Sequence, residues 1–279
     1  MLLETKIPAA PIALFDSGVG GLSVLRELRQ QLPGEDVIFL ADQAHVPYGP
    51  RSMGEVRRFS EGITRFLLEQ GAKLIVVACN TASAAALHHL RITFPGVNIV
   101  GMEPAVKPAV EQTKTGVVGV LATPVTFQGE LYASLVDEYA QGVRVLQDTC
   151  VGLVGEIEAG RVDGQAAREI LEGALHSMLA EGVDAVVLGC THYPFVSPLI
   201  ETIAGDGVRV IDPASGVVRH VGRLLEQHGL ASAKPAGGRT RYLTTGDAAA
   251  METQLEGLLG VSGEVAQVRW GRELSLGEG

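Results

Sequence analysis

Aromatic residues and cysteine are both scarce in this chain. Phe, Trp and Tyr make up 5% of its 279 residues, and there are 3 cysteines. An odd number of thiols, spread over Cys79, Cys150 and Cys190, excludes a disulfide framework. No C-x-x-C occurs, which argues against a structural zinc site, and no metal is expected. Lys and Arg number 22 against 32 Asp and Glu, a formal net charge of -10. Phosphate backbones are bound by clustered cations, so no nucleic-acid partner is expected. No apolar run reaches the roughly 18 residues of a membrane span, so no membrane partner is expected either. The opening Met1-Leu2-Leu3-Glu4-Thr5-Lys6-Ile7-Pro8 lacks the charge, apolar core and cleavage site of a signal peptide. These absences lead to the expectation of a cytoplasmic protein with free thiols.

What is abundant is Ala, Val, Leu and Gly, within a hydrophobic fraction of 46%. That composition suits a well-packed α/β protein. Ile12-Ala13-Leu14-Phe15, Val37-Ile38-Phe39-Leu40 and Leu74-Ile75-Val76-Val77 are continuous apolar runs, as parallel strands covered on both faces should be. Between the last two, Ser52 and Glu55 form a capping-box pattern. Val56, Phe59, Ile63, Phe66 and Leu67 follow at helical spacing, and Gly71 stands where a helix should stop. This is the β-α-β rhythm of a doubly wound sheet.

The second half repeats the first. Leu67-Leu68-Glu69-Gln70-Gly71-Ala72-Lys73-Leu74-Ile75-Val76-Val77-Ala78-Cys79 lies ungapped against Met178-Leu179-Ala180-Glu181-Gly182-Val183-Asp184-Ala185-Val186-Val187-Leu188-Gly189-Cys190, at an offset of 111 residues. Thr123 should end a strand from Val117 to Leu121 as Asp16 ends the first, with Asp148 following as Asp42 does. Glu103-Pro104-Ala105 matches Asp212-Pro213-Ala214. Two pseudo-symmetric doubly wound parallel-sheet domains facing each other across a cleft are therefore expected. One spans 1–101 and is completed by 213–279; the other spans 102–212. Arg241-Tyr242-Leu243-Thr244 and Val265-Ala266-Gln267-Val268 suggest two further strands around a helix, assigned to the first domain. Ala231 to Gly238 suggests a loop.

Ligands of open parallel sheets bind beyond the carboxyl ends of the strands. Four polar clusters fall there: Asp16-Ser17-Gly18, Cys79-Asn80-Thr81, Thr123-Pro124-Val125-Thr126 and Cys190-Thr191-His192. Facing domains would set Cys79 and Cys190 on opposite sides of one cleft. Inverting an α-carbon needs a base on one face and an acid on the other, and paired thiols can exchange those roles. A cysteine pKa of about 8.5 can be drawn toward neutrality by nearby charge or a helix N-terminus. Thr81 to Leu90 reads as a helix, which puts Cys79 near such an end. His192, two residues from Cys190, could share its proton. Free cysteine alone is more often core than catalyst. Here two equivalent thiols end apolar runs and are followed at once by polar side chains, whereas Cys150 lacks that context and is expected to be structural.

Other positions leave alternatives open. Asp16 suits a cap for a helix near Leu22 or a role beside Cys79. Gly18, Gly20 and Gly21 resemble a dinucleotide fingerprint whose third glycine is replaced by Ser23. Close backbone approach to a small carboxylate ligand is the better account. Pro47-Tyr48-Gly49 suits a turn or a substrate contact. His88, His89, His176, His220 and His228 read as ordinary helix positions. The clusters hold few Arg or Lys, so an anionic substrate would be held by Ser, Thr, Asn and backbone N–H donors.

Phe15-Asp16-Ser17-Gly18-Val19-Gly20-Gly21, Pro47-Tyr48-Gly49, Val77-Ala78-Cys79-Asn80-Thr81-Ala82-Ser83 and Gly189-Cys190-Thr191-His192-Tyr193-Pro194 resemble the signature motifs of bacterial glutamate racemases. Leu243-Thr244-Thr245-Gly246-Asp247 is also similar, and the resemblance runs in order over nearly the whole chain. It implies interconversion of L- and D-glutamate without pyridoxal phosphate or metal, the D-isomer supplying peptidoglycan precursors. By the same resemblance Cys79 takes the α-proton of D-glutamate with help from Asp16. Cys190 takes that of L-glutamate with help from His192. Ser17, Pro47, Tyr48, Gly49, Asn80, Thr81, Thr123 and Thr191 would line the substrate site. The family's auxiliary glutamate falls on Glu158. The stretch before it departs from the pattern, with Val151-Gly152-Leu153 and Gly155 where proline and bulky apolar residues are usual. A homodimer is a further expectation from the family. The rivals are an aspartate racemase of the same superfamily, a cysteine hydrolase using Cys190 and His192, and a non-catalytic two-lobed binding module.

Overall fold

A computed structural model of the chain describes residues 8–271 and 276–278. Met1 to Ile7, considered above for a targeting signal, lie outside the described residues. The chain begins with β1 (Ile12–Asp16), α1 (Leu22–Gln31), β2 (Val37–Ala41), α2 (Met53–Glu69), β3 (Leu74–Val77), α3 (Asn80–Thr93) and β4 (Asn98–Val100). It continues through α4 (Val106–Gln112), β5 (Val117–Ala122), α5 (Pro124–Gln128), α6 (Glu130–Tyr139), β6 (Arg144–Asp148) and α7 (Leu153–Glu158). After α8 (Gln165–Ala180) and β7 (Ala185–Gly189), a 3-10 turn leads to α9 (Ser197–Ala204) and β8 (Arg209–Ile211). The last elements are α10 (Ala214–Gln227), β9 (Thr240–Thr244), α11 (Ala248–Leu259), β10 (Val265–Trp270) and β11 (Leu276–Glu278).

The strands form two sheets, one of seven in the order β11-β10-β9-β2-β1-β3-β4 and one of four in the order β6-β5-β7-β8. Within the larger sheet the run β2-β1-β3-β4 has the same order as the whole smaller sheet, so β1 corresponds to β5 and β3 to β7. The repeat read from sequence is thus a repeat of topology. All pairings are parallel except β10 with β11. The segment after α10 joins the sheet that holds β1, through β9 on β2. Residues 231–238 form no regular element.

The apolar runs are strands because both faces of each sheet are covered. In β1, Ile12 and Leu14 pack into one core with α1, α10 and α11, while Ala13 and Phe15 pack into a second with α2 and α3. The smaller sheet repeats this, with α7, α8 and α9 on one face and α4 and α6 on the other. Helix α2 starts with the capping box foreseen from Ser52 and Glu55. It ends at Gly71 with φ +81°, and α8 ends likewise at Gly182 with φ +86°.

One strong interaction had no signature in the pattern. Lys73 and Glu35 are buried together, with Nζ 2.5 Å from Oε2. Lys73 also donates to the Pro8 carbonyl at 2.6 Å, and Glu35 accepts from the Ser232 backbone N–H at 2.7 Å. The pair ties the chain's first described turn and the 231–238 loop to the base of the sheet. Removing one partner leaves the other charge buried and unpaired, at a cost of about 3–5 kcal/mol. Lys73→Met should lower unfolding free energy by that amount in urea titration. Adding Glu35→Leu should recover much of it, because no lone charge then remains.

Candidate active site

The carboxyl ends of β1, β3, β5 and β7 meet where the two sheets face each other. Ser17, Pro47, Tyr48, Gly49, Cys79, Asn80, Thr81, Thr123, Cys190, Thr191 and His192 line one cavity there, together with Val154 of α7. Of the strand-end clusters, Asp16, Gly18, Pro124, Val125 and Thr126 do not line it, Asp16 lying behind Cys79; Val154 was not foreseen. The space open to a water-sized sphere is about 10 Å³, the lower limit for a single water. An amino acid can enter only if the lobes part.

Cys79 is the N-cap of α3, and its Sγ accepts the Ala82 N–H at 3.4 Å. The helix N-terminus is therefore where the sequence put it, but the expected fall in pKa is not. Burial and the Asp16 carboxylate push the Cys79 thiol well above its ordinary value, and the Ala82 N–H opposes them without prevailing. Asp16 is itself fully buried. Burial raises its pKa, against the pull of His192 and of hydrogen bonds that include one with Cys79. Its Oδ2 also takes the Gly21 N–H at 2.6 Å just before α1, a helix without a side-chain N-cap hydrogen bond.

Around Cys190 the company is different. His192 Nδ1 lies 3.7 Å from Cys190 Sγ, and its Nε2 lies 2.6 Å from Glu158 Oε1. Burial favours neutral imidazole, yet the contacts with Cys190 and Glu158 outweigh it and raise the His192 pKa well above the ordinary value. For Glu158 burial raises the pKa, but the bond to His192 outweighs it and the carboxyl is held low. The two form a buried ion pair. Glu158 also accepts the Val19 N–H at 2.8 Å from the opposite lobe. The unusual stretch before it therefore does not keep Glu158 out of the site.

The glycines of the first motif stand where the protein itself leaves no room for a side chain. A side chain at Gly20 would run into His192 Nδ1 and Asp16 Oδ2, and one at Gly18 into the Glu158 carboxylate. The backbone here lies close against Asp16 of its own lobe and against His192 and Glu158 of the other. Tyr48 follows a cis Val46–Pro47 bond and donates to Asp42 Oδ2 at 2.6 Å. Thr81 and Thr123 join the lobes through their hydroxyls at 2.8 Å. Asn80 is buried, and neither atom of its amide has a hydrogen-bond partner among the described residues. Such a group costs about 1–3 kcal/mol unless something polar meets it. Cys150 is buried and away from the cavity lining, at φ 43°. His88 and His89 lie on α3, His176 on α8 and His220 on α10, with His228 at the end of α10. Among the described residues no group of three His, Cys, Asp or Glu is arranged to hold a metal ion.

A family model described as Asp/Glu/Hydantoin racemase matches residues 16–221. The glutamate racemase of Ectopseudomonas mendocina is 51% identical over 256 residues, 92% of this chain and 97% of its own. The chain belongs to the Asp/Glu/hydantoin racemase family. A glutamate racemase isoform of Bacillus anthracis has a similar structure, with a TM-score of 0.85 at 32% identity over 93% of this chain and 97% of that one. The glutamate racemase of Francisella tularensis, solved in complex with D-glutamate, gives a TM-score of 0.82 at 29% identity over 94% and 98%.

The ion pair at the heart of this racemase can be tested without substrate. Glu158→Gln keeps the length of the side chain and removes the charge. In NMR of ¹⁵N-histidine-labelled protein, His192 should then titrate about 1–3 pH units lower, the range typical of losing a close opposite charge. Stability should follow. A raised His192 pKa stabilises fully below the unfolded value of 6.5 and fades as pH rises through the folded value. A lowered Glu158 pKa stabilises above 4.5 and fades as pH falls through the folded value. The advantage of the native protein over Glu158→Gln should therefore be widest between those two values and narrow on either side.

Proposed function

We propose that this racemase interconverts L- and D-glutamate, with Cys79 and Cys190 as the acid and base on opposite faces of the α-carbon. The observation that carries this is the pair of thiols, placed at equivalent strand ends of a duplicated fold and lining one narrow cavity. The substrate is drawn from the relatives, which bear the name glutamate racemase. The unpartnered Asn80 amide and the hydroxyls of Ser17, Thr81, Thr123 and Thr191 supply donors for carboxylates, and no Arg or Lys lines the cavity.

With D-glutamate, Asp16 takes the Cys79 proton and the resulting thiolate removes the α-hydrogen. The Cys190 thiol then delivers its proton to the opposite face, and the His192 imidazolium beside it reprotonates the thiolate left behind. Glu158 holds His192 in the charged form that this role needs. The turnover leaves Asp16 protonated and His192 neutral. The reverse direction starts from that state, with His192 taking the Cys190 proton and Asp16 returning one to Cys79. A repeated forward turnover first needs Asp16 to lose and His192 to regain a proton by exchange with solvent. Pro47, Tyr48 and Gly49 bound the space, with Asp42 fixing the tyrosine. The bodies that close on the substrate are residues 1–101 with 213–279, and residues 102–212. The D-glutamate formed supplies peptidoglycan synthesis in the cytoplasm, and a homodimer is the expected assembly.

The first test is chiral chromatography of each glutamate enantiomer after incubation with chelator-treated protein and no added cofactor, beside both enantiomers of aspartate. Racemisation of glutamate is expected. A requirement for pyridoxal phosphate or metal, or a preference for aspartate, overturns the corresponding part. Cys79→Ala and Cys190→Ala should each abolish racemisation, because each turnover needs groups on both faces. In heavy water, Cys190→Ala should exchange the α-hydrogen only of D-glutamate, and Cys79→Ala only of L-glutamate. Full racemisation by either variant sinks the two-thiol mechanism, since one thiol cannot reach both faces of a clamped carbon.

Entry and closure generate a second expectation. A cavity of about 10 Å³ admits glutamate only through a more open form, and closure keeps water from the thiolate. Small-angle scattering should therefore show a broader distribution of sizes without substrate, and compaction on saturation with D-glutamate. Identical curves would rule out lobe movement on that scale.

A further inference from the structure

Leu243-Thr244-Thr245-Gly246-Asp247 lines no part of the cavity, and the steps above do not use it. Its side chains nevertheless lead back to the site. Thr244 Oγ1 donates to Gln43 Oε1 at 2.7 Å and accepts the Gly246 N–H at 3.0 Å. A side chain on Gly246 would strike the Gln43 Cβ. With its oxygen engaged, Gln43 turns Nε2 toward Gln254 Oε1 at 2.8 Å and Glu158 Oε2 at 3.3 Å. Asp247 caps α11, accepting the Ala250 N–H at 2.7 Å. About two helical turns later, α11 presents Gln254, whose Nε2 donates to the backbone carbonyl of Glu158 at 2.6 Å. The donors and acceptors of both amides are mutually consistent. Reversing Gln43 would set its oxygen against Gln254 Oε1 and the Glu158 carboxylate, and reversing Gln254 would set N–H against the Gln43 N–H.

We propose that Gln43 and Gln254 are positioning residues that hold the Glu158 carboxylate on His192, and through it govern the proton of the Cys190 half of the site. This rests on Cys190 and His192 acting as proposed above. Neither glutamine touches the cavity, so neither is catalytic. Glu158 needs such support. It is the last residue of the short helix α7, and its long side chain has torsional freedom. Gln254 fixes its backbone, Gln43 one carboxylate oxygen, and the Val19 N–H the other. His192 faces Cys190 on its own loop, Glu158 from α7 and Asp16 from the end of β1. If Glu158 swings away, burial dominates and the imidazole loses its proton at lower pH. The Thr-Thr-Gly-Asp turn and α11 thus form a strut from the first lobe to an acid–base group of the second.

The test uses the full chain carrying Gln254→Leu or Gln43→Leu, with Thr253→Ala as control. Thr253 is exposed on α11 and its hydroxyl bonds only to Ala249 of the same helix. In ¹⁵N-histidine NMR, His192 should titrate about 1 pH unit lower in both Leu variants and as in the native protein in the control. The matching limb of the kcat/KM profile for glutamate should move the same way, with kcat/KM down about tenfold, as small displacements of reacting groups allow. A His192 titration unchanged in both Leu variants overturns the proposal, because mere structural filling would leave that proton alone. If the native protein leaves glutamate unchanged while His192 shifts in both variants, the positioning role stands and the substrate assignment falls.

Discussion

A stereocentre can be inverted only from two sides, and that constraint accounts for most of this architecture. One sheet offers its ligands one edge. Two copies facing each other offer two edges, with an equivalent thiol on each. The order β2-β1-β3-β4 recurs as β6-β5-β7-β8, so Cys79 after β3 and Cys190 after β7 are related by the duplication itself. Neither lobe alone completes the cavity. Bonds between the lobes, such as Ser23 Oγ to the Thr191 carbonyl at 2.9 Å and the Val19 N–H to Glu158 at 2.8 Å, join the start of α1 and the loop before it to the residue after Cys190 and to α7.

The duplication is broken where the proton chemistry is. Two residues after Cys79 stands Thr81, and two after Cys190 stands His192. Asp16 ends β1, while Thr123 follows the corresponding β5. One thiol therefore lies beside a buried carboxylate, the other beside an imidazole paired with Glu158. The consequence is electrostatic. A carboxylate beside a thiol discourages a second negative charge, and the Cys79 pKa is raised accordingly. Equivalent positions thus acquire different neighbours, and neighbours are what separate an acid from a base on one scaffold.

What could be read from the chain divides by sequence distance. Ile12 to Phe15 was legible as a strand because every residue of it is buried, and the Ser52–Glu55 cap because its partners are three apart. The clusters around Cys79 and Cys190 were legible because strand ends announce themselves. Contacts between lobes were not. Nothing near Gly18 or Gly20 shows that Glu158 and His192 will press against them. Nothing near Gln254 shows that it reaches the Glu158 carbonyl, 96 residues away. The Lys73–Glu35 pair was hidden for the same reason, each residue being ordinary in its own neighbourhood. The rise of the Cys79 pKa was missed because a helix N-terminus is a local feature, whereas burial belongs to the closed whole.

That last point bears on how the site can work. A cavity this tight excludes water, and a low-dielectric space penalises every lone charge while strengthening every pair. In this form Cys79 and Asp16 are both driven toward their neutral states, while Glu158 and His192 pair beside Cys190. The penalty on a Cys79 thiolate therefore has to be met by what enters. In the proposed reaction the substrate's own ammonium group, bonded to the α-carbon, is brought beside that thiol and beside Asp16. Opposite charges a few ångströms apart attract far more strongly there than in bulk water. Under the proposed mechanism the thiol stays protonated until an amino acid brings that charge beside it. On this account the raised pKa of the resting thiol belongs to the mechanism, because it keeps a reactive thiolate from forming until its target is in place.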